Sequence, residues 1–128
     1  MIKEITKQDI ALANFKPESH TVAFSDEGDW IGYYVGNKLV GVLCVCDRHG
    51  GKYISSCFTQ KEFRSIGVMT SLVKYVIMKY PTDILIAHCL ISSRNIFKKL
   101  DFIEYKCVNY RHGTQYFMRR DNSGKTEN

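Results

Sequence analysis

Residues 58–80, FTQKEFRSIGVMTSLVKYVIMKY, join an extended segment to a helix through a short polar loop. That handover restricts what the chain can fold into more than any other stretch. Tyr53, Ile54 and Phe58 read as the end of a strand. Met69, Leu72, Val73, Val76, Ile77 and Tyr80 recur at spacings of three and four, which predicts a helix over 67–80 with one apolar face. Thr70, Ser71, Lys74 and Lys79 fall off that face. Between strand and helix sit Arg64, Ser65, Ile66 and Gly67. The first N–H groups of a helix have no partner within it and carry the positive end of its dipole. A glycine there lets an anion approach the backbone, and Arg64 adds a full charge. The pattern predicts a phosphate site.

The flanking segments predict a mixed sheet. Met1–Thr6 reads as a first strand, followed by a brief helix in KQDIALANF that Pro17 ends. Residues 16–29 are polar apart from the island Val22–Phe24, and read as a connection that borders a substrate. From Asp29 the chain becomes β: Trp30–Val35, a turn at Gly36-Asn37-Lys38, Leu39–Cys46, a turn at 47–51, and Lys52–Phe58. Leu39–Cys46 is apolar on both faces and should be covered on both sides. Pro81-Thr82-Asp83 breaks the chain before Ile84–Ala87, a buried central strand. Strand, helix and strand then make a β–α–β unit whose right-handed crossover sets its strands parallel, beside an antiparallel meander. A short helix over Ser92–Leu100, strand Ile103–Val108, a turn at 111–113 and strand Thr114–Arg119 complete the pattern. The expectation is one domain over 1–119 and a polar, disordered tail over 120–128.

The segment MIKEITKQDI has no apolar signal-like run, and no stretch approaches a membrane span. With five cysteines, an odd number, the chain is expected to be cytoplasmic with reduced thiols. Cys44 and Cys46 read as small hydrophobes, and no ligand spacing points to a metal. A net charge of +5 suits an acidic cofactor or substrate and matches nucleic acid in sign, but the basic residues are scattered. A monomer or a homodimer is expected.

Phe63–Met69 resembles the R-x-x-G-x-G/A signature of the GCN5-related N-acetyltransferases (GNATs), with Met69 where the second Gly or Ala belongs. VGNKLVGVLCV resembles the family's hairpin, with Gly41 at its usual glycine. Ser93–Phe102 resembles its S/A-x-x-x-[YL]-x-K-x-G-F segment, with Asp101 in place of the glycine and Phe97 where many members carry tyrosine. The resemblance spans residues 30–119. It implies an α/β (α+β) fold with a mixed, mostly antiparallel sheet of six to seven strands flanked by helices. It also implies an acyltransferase that moves an acetyl group from acetyl-CoA to an amine. Arg64, Ser65, Ile66, Gly67, Val68 and Met69 would then hold the pyrophosphate, Cys57, Phe58 and Thr59 would line the thioester, and Asn95 and Phe97 would complete the cofactor wall.

Such a transfer needs a polarised carbonyl, a neutral amine and a proton for the departing thiolate. Phe97 cannot donate that proton. Ser93 and Tyr105 are candidate donors, along with Ser92, Asn95, Tyr110 and Tyr116. His88, at the end of the central strand, is the candidate base, the plainer alternative being a hydrogen-bonded core histidine. Cys57 reads as a small buried residue rather than a nucleophile. Two other functions stay open: a GNAT-like module that binds without catalysis, and an acyltransferase acting on nucleic acid or on a protein bound to it.

Overall fold

A computed structural model describes residues 1–15, 24 and 26–124. The elements run β1 (Ile2–Ile5), α1 (Lys7–Ala13), β2 (Asp29–Val35), β3 (Lys38–Arg48), β4 (Gly51–Thr59), a 3-10 turn (Lys61–Phe63), α2 (Val68–Lys79), β5 (Ile84–Cys89), α3 (Ile91–Lys99), β6 (Ile103–Tyr110) and β7 (Gly113–Asp121). The strands form one seven-stranded sheet in the order β1-β2-β3-β4-β5-β7-β6. The β4–β5 pair is parallel and the other pairs are antiparallel. This is the expected mixed α/β fold, and its seven strands fall within the expected range.

Burial explains the layers. Strand β3 is buried from Leu39 to Cys46, as a strand apolar on both faces requires. On one face Val40, Leu43 and Val45 pack with Leu72, Val73 and Val76 of α2, Phe97 of α3, and Leu85 and Met118. On the other, Val42, Cys44 and Phe58 pack with Trp30, Leu39 and Ile10 of α1, and with Phe15 and Phe24. Helix α2 buries Val68, Leu72, Val73 and Val76, each contributing about 1.5–3 kcal/mol. Gly41 lets that helix lie close: a Cβ there would stand 2.6 Å from Val68 Cγ1.

Several boundaries move from their expected places. Helix α1 opens with a capping box between Thr6 and Asp9 and stops at Asn14, in the left-handed region at φ 51°. Pro17, the expected stop, lies outside the described residues, as do Val22 and Ala23 of the apolar island. The expected start of the tail at 120 falls inside β7, because Arg120 and Asp121 still pair with Leu85 and Ile84 of β5. Asn122 then closes the end of α2, donating to Ile77 O and Tyr80 O. Residues 125–128 lie outside the described residues.

Candidate functional site

The parallel β4–β5 ladder is short. It pairs Lys52 with Leu85, Tyr53 with Ile86 and Ile54 with Ala87. Beyond that point β4 continues to Thr59 and β5 to Cys89 without pairing with each other, and a cleft of about 1010 Å³ opens between them. Its walls are residues 53–59 of β4, Ala87, His88 and Cys89 of β5, the start of α2 and the start of α3. A bulge loosens β4 here: its register against β3 shifts between Val42 and Cys44, and Ser56 takes φ 54°.

Hydrogen-bond alternation fixes what β4 presents to this opening. Successive N–H groups of a strand point to opposite sides. The Gln60 N–H donates to Val40 O at 2.8 Å, so those of Cys57 and Thr59 face away from β3, toward the cleft. The Phe58 N–H, by the same alternation, is turned to β3, and its ring is buried in the core on the opposite face of the sheet.

The loop arrives at the same opening. Arg64 donates from Nε to Thr59 O at 2.8 Å, and its guanidinium lies 5.8 Å from the Phe58 ring. Ser65 and Gly67 take φ 67° and 88°, a kink that turns the chain into α2. Gly67 is the N-cap, with no side-chain cap bond and no acidic residue in the first turn. The first N–H groups of α2 thus have no capping side chain, and nothing lies within 4 Å of where a Gly67 Cβ would stand.

Of the residues expected in the cofactor site, Cys57, Phe58, Thr59, Arg64, Ser65, Gly67, Val68, Met69 and Phe97 line the cleft. Ile66 does not: it stands at the loop tip, 65% exposed. Asn95 is on the exposed side of α3, because the two neighbours that follow it, Ile96 and Phe97, take the inward positions. Met69, which stands where the family signature has Gly or Ala, lies half-buried against the core while lining the cleft.

The candidate catalytic groups divide. His88 and Ser93 line the cleft. Tyr105 does not; it sits on the outer strand β6, half-exposed, with its ring edge-on to Phe117. A register shift between Glu104 and Lys106 accompanies that placement. His88 stacks on Phe117 at 3.9 Å and touches the rings of His49 and Tyr53. Its Nε2 is buried without a hydrogen-bond partner, unlike the bonded core histidine considered as the alternative. Burial, then the nearby His49 and Lys106, hold its pKa below the ordinary 6.5. It is a neutral imidazole at pH 7. Phe97 is 2% exposed and packs edge-on against Phe102.

Burial pushes the Cys57 thiol up to about 12 and that of Cys89 to about 11, so neither is a ready nucleophile. Among the described residues no three His, Cys, Asp or Glu side chains gather to hold a metal, and no helix is long and apolar enough to cross a membrane.

Sequence reasoning missed Asp26 and Tyr53 as cleft residues. Tyr53 has no readable signal in its spacing from Cys57, because the bulge between them breaks the alternation. Asp26 has none beyond its place in the polar connection. Its carboxylate accepts from Ser55 Oγ at 2.6 Å and Ser56 Oγ at 3.0 Å. Those bonds, chiefly that of Ser55, hold its pKa below the ordinary 3.8.

The fold has counterparts among solved proteins. The ribosomal-protein-S18-alanine N-acetyltransferase from Escherichia coli superposes with a TM-score of 0.76 at 12% identity, over 100% of this chain and 97% of that one. The yncA acetyltransferase structure from Salmonella typhimurium, with its cofactor acetyl-CoA, gives 0.76 at 12% over 100% and 96%. An aminoglycoside 6'-N-acetyltransferase complexed with coenzyme A gives 0.76 at 11% over 99% of each chain. No curated protein matches the sequence significantly. The family model "Acetyltransferase (GNAT) family" matches residues 3–102, which takes in the strands that flank the cleft, the glycine loop and α3. The chain therefore belongs to the GNAT family of acetyltransferases.

Proposed function

We propose that this protein is an acetyl-CoA-dependent N-acetyltransferase that acts on an amine. One observation carries the reading: the free edge of β4 beyond Ile54 and the uncapped start of α2 open onto a single cleft. A donor with a diphosphate at one end and a thioester at the other matches that pair of features. The open space over Gly67 and the absence of an acidic residue in the first turn of α2 fit a pyrophosphate. Ser65, Gly67, Val68 and Met69 would hold it through the backbone, with Arg64 adding charge. When bound, acetyl-CoA supplies an acyl group already activated by its thiol leaving group.

The chain's own residues supply the rest. The N–H groups of Cys57 and Thr59 polarise a carbonyl placed beside them. Neutral His88, which lines the cleft, takes the proton from an incoming amine. The Ser93 hydroxyl, on the same wall as Phe97, donates to the departing sulfur. Two structural neighbours are named for a ribosomal-protein alanine and for an aminoglycoside, acceptors that share the amine. The acceptor reading extends to that class.

Calorimetry with acetyl-CoA and with coenzyme A is the direct test. Saturable binding of both is expected, and no heat at sub-millimolar ligand would end the reading. A second reading is favoured by Phe97, whose buried ring removes a proton donor from α3: a module that binds the cofactor without turnover. Thiol release across a broad panel of amines separates the two.

A further inference from the structure

We propose that Asp26 is a positioning residue for the donor thioester: it holds the β4 bulge in the phase that turns the N–H groups of Cys57 and Thr59 into the cleft. This rests on the reading of the strand end as the thioester site.

Adjacent residues of a regular strand point to opposite faces. Ser55 and Ser56 are adjacent, yet both hydroxyls donate to the same carboxylate oxygen, Asp26 Oδ2, at 2.6 and 3.0 Å. That convergence requires the bulge. Ser56 sits at φ 54°, a conformation an L-residue keeps when its surroundings hold it. The extra residue also resets the strand: without it, Phe58 would exchange its core position for the cleft, and every N–H beyond would change sides.

Asp26 is itself fixed by two further contacts. Its Oδ1 accepts from Arg48 Nη2 at 3.3 Å, and its backbone oxygen accepts from Trp30 Nε1 at 3.1 Å. The Trp30 side chain is buried in the core behind β4. The carboxylate therefore ties the segment before β2 to the bulge across 29 residues of sequence. Being ionised, it accepts from both hydroxyls at once and offers no donor that would compete.

The test uses glycine's freedom at positive φ. If Asp26 acts by holding Ser56 left-handed, Ser56→Gly should make it dispensable. The readout is the infrared carbonyl stretch of bound, carbonyl-labelled acetyl-CoA, which reports polarisation by the N–H groups. Calorimetry with coenzyme A reports the pyrophosphate loop separately. In the parent the stretch should lie below that of free acetyl-CoA. In Asp26→Ala it should return toward the free value, while coenzyme A affinity changes less than about threefold. The double variant Asp26→Ala/Ser56→Gly should recover the parental stretch. Should Asp26→Ala not fold, Asp26→Asn carries the same comparison with a partial effect.

A parental stretch in the Asp26 variants, or a double variant no better than the single one, overturns the proposal and leaves the cofactor reading standing. A parent that binds neither acetyl-CoA nor coenzyme A removes the cofactor reading, and the proposal falls with it.

Discussion

Arg64 reaches back five residues, donating from Nε to Thr59 O at 2.8 Å, and so ties the glycine loop to the end of β4. The bond uses the carbonyl on the same strand edge as the Thr59 N–H. One side chain thereby links the two halves of the candidate donor site.

Replacing Arg64 should weaken coenzyme A. Arg64→Ala removes the charge and the tie together, and an affinity loss of about 1–2 kcal/mol is expected for one charge-assisted contact. Arg64→Lys should restore part of it, keeping the charge but not the Nε donor. Because Arg64 is exposed, thermal stability should change little in either variant. Unaltered affinity in Arg64→Ala, measured by calorimetry, would place the anion site elsewhere.

Gly67 separates conformation from charge. At φ 88° with open space around it, Gly67→Ala meets no neighbour but takes on left-handed strain, costing about 1–2 kcal/mol of stability. Coenzyme A binding should survive that change, weakened. Gly67→Glu adds the same strain and sets a carboxylate where the pyrophosphate would lie, and binding should vanish. Denaturant unfolding beside calorimetry checks both. Equal binding by Gly67→Glu and the parent would contradict the assignment.

His88 predicts a pH dependence. Its pKa lies below 6.5, so the neutral form that accepts a proton predominates at pH 7. With an amine found by thiol release, kcat/KM should fall as pH drops through that lowered pKa. His88→Gln should lose this acid limb together with activity. Stability should follow the same sign: unfolded His88 protonates near 6.5, before the folded group does, so stability declines as pH falls below that value. An unchanged profile in His88→Gln would remove it as the base.

Thiol chemistry should be selective. Cys107 is exposed on β6, whereas Cys57 and Cys89 are held as thiols with pKa values of about 12 and 11. Iodoacetamide at mildly alkaline pH should label Cys107 first and leave the two cleft cysteines unmodified, as read by peptide mass mapping. Early labelling of Cys57 would show an activated thiol and reopen its role as a nucleophile.

The sequence by itself determined the order of elements, the two-faced burial of β3 and the place of the glycine loop. These are local properties: the apolar spacing of Leu72, Val73 and Val76, the continuous run Leu39–Cys46, and a glycine before a helix each carry their meaning within a few residues. Even the likeness of Ser93–Phe102 to a family segment is local. Tertiary structure decided which side chains share the cleft. Tyr105 and His88 look equally available in the chain, yet β6 lies outside β7 and carries Tyr105 to the surface. Asp26 sits in a polar connection with no periodicity to mark it. Its role arises from meeting Ser55 and Ser56, 29 and 30 residues away, across a bulge visible only in the register of β3 against β4. Strand register and long-range hydrogen bonds depend on how separate segments pack together, and no window of sequence contains both partners.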